Sequence, residues 1–169
     1  MKTNSDKNLN NFTLREDVFI SDRGEIRKIL ESTNCFHNYE MNTAIELIDE
    51  RLTKGISSGY NFIIADKNNI IYGYCCYGPI PCTQSSYDLY WIAVDKKAQG
   101  QGLGTYLLTE TEKRIRAFGG TRIYIETSSR EEYNAAQTLY NKCGYKQEAL
   151  FTNFYAPNDD KLVFMKEVL

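Results

Sequence analysis

The stretch VDKKAQGQGLG, residues 94–104, decides the fold. A segment dense in aromatic and β-branched residues, 87–94, leads into it as a strand, and a long helical pattern begins directly after it. Its glycines, Gly100, Gly102 and Gly104, allow positive φ angles and let a ligand approach the backbone closely. The unpaired N–H groups of the helix's first turn, with the helix dipole, attract an anion such as pyrophosphate. The segment therefore predicts a phosphate-binding loop between a strand and a helix.

The spacing of this loop excludes two well-known phosphate-binding motifs. A Walker A loop requires a lysine after its last glycine, and none follows here. The dinucleotide fingerprint G-x-G-x-x-G fails because, counting from Gly100 and Gly102, Thr105 stands in the third glycine position. The pattern that remains is Gln-x-x-Gly-x-Gly, from Gln99 to Gly104. A structural alternative stays open, in which the glycines only make a tight turn.

Before the loop, the sequence predicts an edge strand, two helices and a hairpin. The edge strand covers residues 13–20, and Ser21 is a candidate N-cap for a helix that reaches about residue 32. A hairpin turns at residues 67–69, and a further strand covers 87–94. The second helix has four apolar residues on one face, at helical spacing: Met41, Ile45, Ile48 and Leu52.

After the loop, the pattern predicts a helix, a strand, a helix and two strands. Residues 122–127 form the strand, in which Ile123 and Ile125 share one face while Glu126 lies on the other. Ser129 and Glu132 have the spacing of a capping box for the helix that follows. The order β-αα-βββ-α-β-α-ββ indicates a mixed α/β domain with one central sheet. The helix after the loop has this inward stripe: Leu103, Leu107, Leu108, Thr111, Ile115 and Phe118.

Composition limits the function classes. The 169 residues predict one domain over 13–169 after a loose tail at 1–12, and a net charge of -2 argues against a nucleic-acid partner. No run approaches the ~18 apolar residues of a membrane span, and the start of the chain resembles no signal peptide. We therefore expect a cytoplasmic protein with no membrane partner.

The cysteines predict neither a metal site nor a nucleophile. There are five of them, without C-x-x-C spacing, and His37 is the only histidine. Buried, reduced thiols that act as small apolar side chains are the simpler interpretation. The alternative, a nucleophilic cysteine activated by His37, stays open.

The loop and the segments around it resemble the GNAT superfamily of N-acetyltransferases, whose signature is Gln/Arg-x-x-Gly-x-Gly/Ala between a strand and the third helix. A second segment resembles the family pattern N-x-x-A-x-x-L-Y-x-x-x-G-F/Y, with one residue of slack near its start. It comprises Asn134, Ala135, Ala136, Leu139, Tyr140, Gly144 and Tyr145. The resemblance covers about half of the chain. It implies the GNAT fold, a mixed and mostly antiparallel sheet flanked by helices, and acetyl transfer from acetyl-coenzyme A (acetyl-CoA).

The resemblance also implies how the cofactor binds. Backbone amides of the loop would hold the pyrophosphate, and the strand before it would pair with the pantetheine arm as an added strand does. An amide near Ile92 or Ala93 would stabilise the oxyanion, and Asn134 would contact the cofactor. The implied cofactor-binding residues are Ile92, Ala93, Val94, Gln99, Gly100, Gln101, Gly102, Leu103, Gly104, Thr105 and Asn134.

Acetylation of an amine also requires proton transfer. A primary amine with a pKa near ~10 is neutral in about one molecule in a thousand at pH 7, so a base or a water relay should remove its proton. Glu126 is the candidate base and Asp88 its rival, and an acceptor of lower pKa would need neither. By the resemblance, Tyr140 is the acid that protonates the departing thiolate, although plain packing against the sheet would also explain it. Without a convincing cysteine–histidine pair, direct attack in a ternary complex is favoured.

The acceptor is an amine on a small molecule or a peptide, and the sequence does not narrow it further. Candidate acceptor loops lie at residues 77–83, 127–130 and 153–160, where Asp159 or Asp160 would draw a cation. Two other functions remain open: a non-catalytic sensor that binds acyl-coenzyme A, and an acyltransferase with a longer acyl donor. A homodimer is compatible with the resemblance.

Overall fold

The computed structural model describes Leu9 and residues 11–168, and within them the predicted order of elements is confirmed. The strands are β1 (Thr13–Arg15), β2 (Asn61–Lys67), β3 (Ile70–Pro79), β4 (Ser86–Val94), β5 (Arg122–Ser128), β6 (Lys146–Ala156) and β7 (Asp159–Glu167). The helices are α1 (Asp22–Thr33), α2 (Asn38–Lys54), α3 (Leu103–Ala117) and α4 (Asn134–Lys142).

The strands form one seven-stranded sheet in the order β1-β2-β3-β4-β5-β7-β6. Strands β4 and β5 pair in parallel, whereas β1–β2, β2–β3, β5–β7 and β6–β7 pair in antiparallel fashion. The predicted mixed α/β class with a mostly antiparallel sheet is therefore confirmed. None of the helices in the described part of the chain is both long and apolar enough to span a membrane.

The described chain forms two compact units. The first comprises the described residues up to Tyr77 together with Trp91–Thr111, and the second comprises Gly78–Tyr90 and the described residues from Glu112 onward. The single domain predicted over residues 13–169 stays a prediction. Most of the predicted tail, residues 1–8 and 10, lies outside the described residues, while Phe12 packs edge-on against Tyr72 at 5.7 Å between ring centroids.

In the first unit, turn residues and apolar faces account for the local structure. Asn68 and Asn69 both have positive φ, which matches the two-residue turn of a hairpin with right-handed twist. Helix α2 buries Met41, Ala44 and Ile48, but Leu52 is 37% exposed, so its predicted place on the inner face is wrong. Leu52 belongs to the last turn of the helix, where the apolar face no longer meets the core.

The predicted edge strand is shorter than expected because a buried ion pair turns the chain. Strand β1 ends at Arg15, whose guanidinium donates two 2.8 Å hydrogen bonds to the carboxylate of Asp22. The same carboxylate accepts a 2.8 Å bond from the backbone N–H of Phe19. Ser21 stands at the N-cap of α1, as predicted, but its side chain makes no capping bond, and the Asp22 carboxylate instead holds the turn that leads into the helix.

Helix α3 ends one residue before its predicted stripe does. Leu103, Leu107, Leu108, Thr111 and Ile115 are all buried as predicted, but Phe118 is 59% exposed. The reason is the glycine pair that follows: Gly119 has φ 81°, and the N–H of Gly120 donates to the carbonyl of Ile115 at 2.8 Å. The left-handed conformation of Gly119 ends the helix and changes the direction of the chain, so Phe118 no longer lies on the buried face.

In the second unit, β5, β7 and β6 present two distinct faces. Ile123 and Ile125 are buried on one face, whereas Glu126 lies exposed on the other, as predicted. The predicted capping box at Ser129 is wrong. Its hydroxyl accepts a 2.8 Å bond from the N–H of Asp160 instead, and a short 3-10 turn precedes α4.

Candidate active site

The predicted phosphate loop is anchored at both ends within the first unit. Its start is fixed by Asp95, whose N–H donates to the carbonyl of Tyr72 and whose carboxylate accepts from the N–H of Lys97, both at 2.8 Å. Ala98 is 2% exposed and Leu103 is 1% exposed, so a buried apolar side chain lies on each side of the segment that holds Gly100 and Gly102. The segment between these two anchors is therefore held in place while its backbone stays near the surface.

The glycines give this segment its conformation. Gly100 has φ 74° and Gly102 has φ 87°, in the left-handed region that L side chains rarely adopt. The carbonyl of Gly102 accepts the N–H of Tyr106 at 3.0 Å, which makes Gly102 the N-cap of α3 and Gly104 its second residue. The N–H groups of Leu103, Gly104 and Thr105 consequently belong to the first turn, where amides have no intrahelical acceptor.

The two glutamines of the loop fold back onto its own carbonyls. Gln99 donates from Nε2 to the carbonyl of Val94 at 3.1 Å, and Gln101 donates from Nε2 to the carbonyl of Lys97 at 3.0 Å. These bonds stabilise the loop through its own side chains, and within it Gly100 is exposed while Gly102 and Gly104 are half-buried. In the adjoining strand, Ile92 and Val94 are half-buried, while Ala93 is 5% exposed.

A second candidate feature is a pocket in the second unit, where β4 and β5 stop pairing. The parallel register runs from Ser86–Arg122 to Asp88–Tyr124. Beyond it lies a shallow pocket of about 210 Å³, lined by Asp88, Leu89, Tyr90 and Glu126. The structure therefore brings the two rival base candidates, Asp88 and Glu126, into one pocket.

Glu126 is engaged by a lysine that the sequence analysis missed. Lys161 Nζ lies 2.7 Å from Glu126 Oε1, and the lysine side chain is only 14% exposed. The same ammonium group lies 4.6 Å from the ring centroid of Phe154 and 5.7 Å from that of Phe151. Lys161 lies within β7, which begins at Asp159, and no sequence motif marks it.

Asp88 has an unusual protonation equilibrium. Burial raises the pKa of its carboxyl to about 6, the negative charge of Glu126 adds to this rise, and the positive charge of Lys161 opposes it. Its carboxyl thus titrates near the pH range in which a general base is most effective.

Tyr140, the candidate acid, is 5% exposed and packs within the second unit. Its ring centroid lies 5.6 Å from that of Phe164 and 6.3 Å from that of Tyr145. Phe164 pairs with Ile125 across β5 and β7, so Tyr140 belongs to the face opposite Glu126. Asn134 is the first residue of α4 and is exposed.

In the candidate acceptor loop at residues 153–160, the carboxylates of Asp159 and Asp160 both bind other groups of the protein. Asp159 is 9% exposed and accepts a hydrogen bond from Ser128, with Arg130 Nε 3.4 Å from its other oxygen. Asp160 accepts the N–H of Asn153 at 2.7 Å. Asp159 is therefore a structural residue that joins β5 to the β6–β7 turn, and the expectation that Asp159 or Asp160 draws a cation stays a prediction.

The cysteines are reduced, and two are fully enclosed. Cys75 and Cys76 are both 0% exposed, and burial, with a smaller contribution from Cys75, raises the pKa of the Cys76 thiol well above its usual value. A thiol that stays protonated is a poor nucleophile. His37 is the N-cap of α2, and its N–H donates to Glu40 Oε2 at 2.7 Å.

Comparisons with known proteins agree on one family. The family model described as "Acetyltransferase (GNAT) domain" matches residues 58–147. A GNAT-family protein from Desulfovibrio desulfuricans has 39% sequence identity and a TM-score of 0.90, over 94% of this chain and 99% of that one. No curated protein sequence matches the chain significantly.

Two more distant structures share the fold. The ribosomal-protein-S18-alanine N-acetyltransferase of Escherichia coli has 17% identity and a TM-score of 0.72, over 93% of this chain and 94% of that one. YncA of Salmonella typhimurium, solved with its cofactor acetyl-CoA, has 17% identity and a TM-score of 0.70, over 94% of this chain and 95% of that one.

The fold, the glycine loop and the matching family model are those of an acyltransferase. This chain belongs to the GNAT acetyltransferases.

Proposed function

We propose that this chain transfers an acetyl group from acetyl-CoA to an amine by direct attack in a ternary complex. The observation that carries the proposal is the loop before α3, in which Gly100 and Gly102 have positive φ, Gly100 is exposed, and Gly104 and Thr105 in the first turn of the helix are half-buried. A helix N-terminus of this kind suits a pyrophosphate. The acetyl-CoA bound to YncA, a protein of the same fold, supports this choice of cofactor.

In this proposal, the first unit supplies most of the cofactor contacts. The N–H groups of residues 99–105 bind the pyrophosphate, and the backbone of Ile92 and Val94 pairs with the pantetheine arm. The N–H of Ile92 or Ala93 stabilises the oxyanion that forms on the acetyl carbonyl. Asn134, exposed at the start of α4, is a further proposed contact to the cofactor.

The second unit supplies the acid–base groups. After the amine attacks the thioester carbonyl, the carbon–sulfur bond breaks and the coenzyme A thiolate, with a pKa of about 8.5, takes a proton from Tyr140. A carboxylate removes the proton of the incoming ammonium group, and both candidates, Glu126 and Asp88, line the same pocket. An S-acetyl-cysteine intermediate on Cys75 or Cys76 is not part of this mechanism, because both side chains are enclosed and burial raises the pKa of the Cys76 thiol.

The acceptor is an amine carried by a small molecule or a peptide. Support for an amine comes from the Escherichia coli protein of the same fold, which acetylates an alanine of a ribosomal protein. The carboxylates of Asp88 and Glu126 give the pocket a negative character that suits a cationic acceptor.

A thiol-release assay tests the proposal. Purified protein is mixed with acetyl-CoA and with amines of each class, namely polyamines, amino acids, aminoglycosides and peptides with free N-termini or lysines. We expect at least one class to accelerate thiol release and to yield an acetylated product by mass spectrometry. Tight binding of acetyl-CoA without transfer to any class would favour the non-catalytic sensor, and stronger competition by longer acyl-coenzyme A species would favour a different donor.

A further inference from the structure

Thr127, near the end of β5, carries a buried hydroxyl group that has no partner within the protein. The residue is 5% exposed, and its Oγ1 atom makes no hydrogen bond to any described residue. Both neighbours in β5 are engaged, because Glu126 binds Lys161 and the hydroxyl of Ser128 donates to Asp159. A buried hydroxyl without a partner costs free energy, since it has given up its hydrogen bonds with water. Such a group in a folded protein therefore calls for an explanation.

The side chain of Thr127 lies on the same face of the sheet as the candidate acid. Side chains alternate along a strand, so Thr127 points to the same side as Ile125. Phe164 is paired with Ile125 across β5 and β7, and the ring centroid of Tyr140 lies 5.6 Å from that of Phe164. Thr127 and Tyr140 therefore share one face, which is the face opposite Glu126.

A side-chain hydrogen bond fixes α4 to the end of β5 at this point. Gln137 Nε2 donates to the carbonyl of Ser128 at 3.0 Å. Asn134 stands three residues before Gln137 and Tyr140 stands three residues after it, so these side chains follow one another along one side of the helix. The side of α4 that carries the proposed cofactor contact and the candidate acid therefore faces the strand end that holds Thr127.

One long edge of β5 is open at the level of Thr127. The parallel register of β4 and β5 ends at the pair Asp88–Tyr124, three residues before Thr127. From Ile125 to its end, β5 is paired in the described part of the chain with β7 alone. An extended ligand can therefore approach this part of β5 without displacing a strand.

We propose that the Thr127 hydroxyl binds the pantetheine arm of acetyl-CoA, at the amide group that lies nearer to the sulfur. The inference rests on the proposed function and adds one residue to its binding site. In that mechanism Tyr140 protonates the sulfur, and two methylene groups separate the sulfur from this amide. Thr127 shares a face with Tyr140 and is therefore placed to meet the amide.

The chemistry of an amide suits this hydroxyl. A threonine hydroxyl donates to an amide carbonyl or accepts from an amide N–H. A carbonyl oxygen has two lone pairs, so it accepts this bond in addition to one from a backbone N–H. Leu162, the neighbour of Thr127 across β5 and β7, is 6% exposed. A hydrogen bond made beside it is shielded from water and is stronger than the same bond at the surface.

The test compares Thr127→Val and Thr127→Ser with wild type by calorimetric titration of acetyl-CoA. Valine keeps the shape of threonine and removes the hydroxyl, whereas serine keeps the hydroxyl. We expect the Kd to rise about 5-fold for Thr127→Val, as for the loss of one hydrogen bond between neutral groups, and to stay near wild type for Thr127→Ser.

A second ligand locates the bond within the cofactor. It is an analogue of acetyl-CoA in which two methylene groups replace the amide nearer to the sulfur. Wild type and Thr127→Val should bind this analogue with Kd values that differ by less than about 2-fold, because the partner of the hydroxyl is already missing.

Unfolding by urea without ligand gives an independent readout. Valine removes an unpaired buried hydroxyl, so Thr127→Val should unfold at the same urea concentration as wild type or at a higher one. Thr111→Val is the matched control, because Thr111 is also buried but its hydroxyl donates to the carbonyl of Leu107 at 2.9 Å. The control should unfold at a lower urea concentration than Thr127→Val and bind acetyl-CoA as wild type does.

The outcomes separate this inference from the proposed function. If wild type binds acetyl-CoA and Thr127→Val binds it equally well, or loses the same factor with both ligands, the role of Thr127 is overturned alone. A Thr127→Val variant that unfolds at a clearly lower urea concentration than wild type also overturns it, because the hydroxyl would then have a partner in the folded protein. Wild-type protein that does not bind acetyl-CoA overturns the proposed function and this inference with it.

Discussion

Glu126 and Tyr140 lie on opposite faces of the β5–β7–β6 part of the sheet. Glu126 is paired with Lys161 on one face, and the ring of Tyr140 packs against Phe164 on the other. In the proposed mechanism, Glu126 is one of two candidate bases for the acceptor nitrogen and Tyr140 is the acid for the departing sulfur. The mechanism therefore does not require a proton to pass directly between these two side chains.

Replacing Tyr140 by Phe tests the acid role. The ring contacts with Phe164 and Tyr145 are kept, so the fold should be unchanged, while the phenol proton is lost. We expect kcat to fall at least ~10-fold, because general acid catalysis is worth ~10²–10⁴-fold, with the Kd for acetyl-CoA nearly unchanged. Steady-state kinetics and calorimetry measure the two quantities. Unchanged turnover would remove Tyr140 from the mechanism and leave it as a packing residue.

Replacing Gly102 by Ala tests the loop. At φ 87° an alanine is strained by ~1–2 kcal/mol, and the strain is relieved by moving the first amides of α3. We expect a lower free energy of unfolding and a weaker affinity for acetyl-CoA, measured by urea denaturation and by calorimetry.

Gly24→Ala is the matched control for the loop variant. Gly24 lies inside helix α1, its φ is not positive, and a Cβ there would meet nothing within 4 Å. The same substitution should therefore stabilise the protein by ~0.5–1 kcal/mol and leave acetyl-CoA binding unchanged. Equal affinities for acetyl-CoA in the two variants would show that the conformation at Gly102 does not matter for binding.

Asp88 should make stability depend on pH. Its folded pKa of about 6 lies above the unfolded value of ~3.9, so between these values the folded state holds the proton more tightly and stability falls as pH rises. Because Asp88 is only half-buried, solvent screening limits this loss in the free energy of unfolding to on the order of 1 kcal/mol. Asp88→Asn should raise the free energy of unfolding by about that amount near pH 7.5 and by little near pH 4. A gain that is the same at both pH values would contradict the raised pKa.

Glu112 and Lys166 form a buried ion pair that should stabilise the second unit. Lys166 Nζ lies 2.9 and 2.8 Å from the two carboxylate oxygens of Glu112, which is 5% exposed. Glu112→Gln leaves Lys166, whose side chain is 26% exposed, without its charged partner and should cost about 1–2 kcal/mol, less than the loss of a partner in a fully buried pair. The double variant Glu112→Gln with Lys166→Met should recover part of the loss in thermal or urea unfolding, and a double variant less stable than Glu112→Gln alone would argue against this explanation.

Local signals were sufficient to predict most of the fold. Asn68 and Asn69 mark the hairpin turn, Gly119 and Gly120 stop α3, and the apolar spacing of α3 predicts five of its six inward residues correctly. The misses fall at element ends. Phe118 is exposed after the glycine stop, and Ser129 bonds the neighbouring turn rather than capping a helix. Where a helix or strand ends depends on contacts with distant parts of the chain, and the local sequence does not show these contacts.

The acid–base pocket could be predicted only in part. Alternation within β5 correctly separates Glu126 from Ile125, because it needs only the strand's own period of two. The meeting of Asp88, Glu126 and Lys161 depends on two strand registers, and a slip of one residue in either would move a charge to the other face. Sequence alone does not contain these registers, so Lys161 could not be found before the structure.

The central claim is that the loop before α3 binds acetyl-CoA, and calorimetric titration of the wild-type protein tests it most directly. Acetyl-CoA is titrated in one experiment, and ATP and NAD are titrated in two others as controls. The account predicts saturable binding of acetyl-CoA alone. No binding of acetyl-CoA, or preferred binding of ATP or NAD, would contradict it.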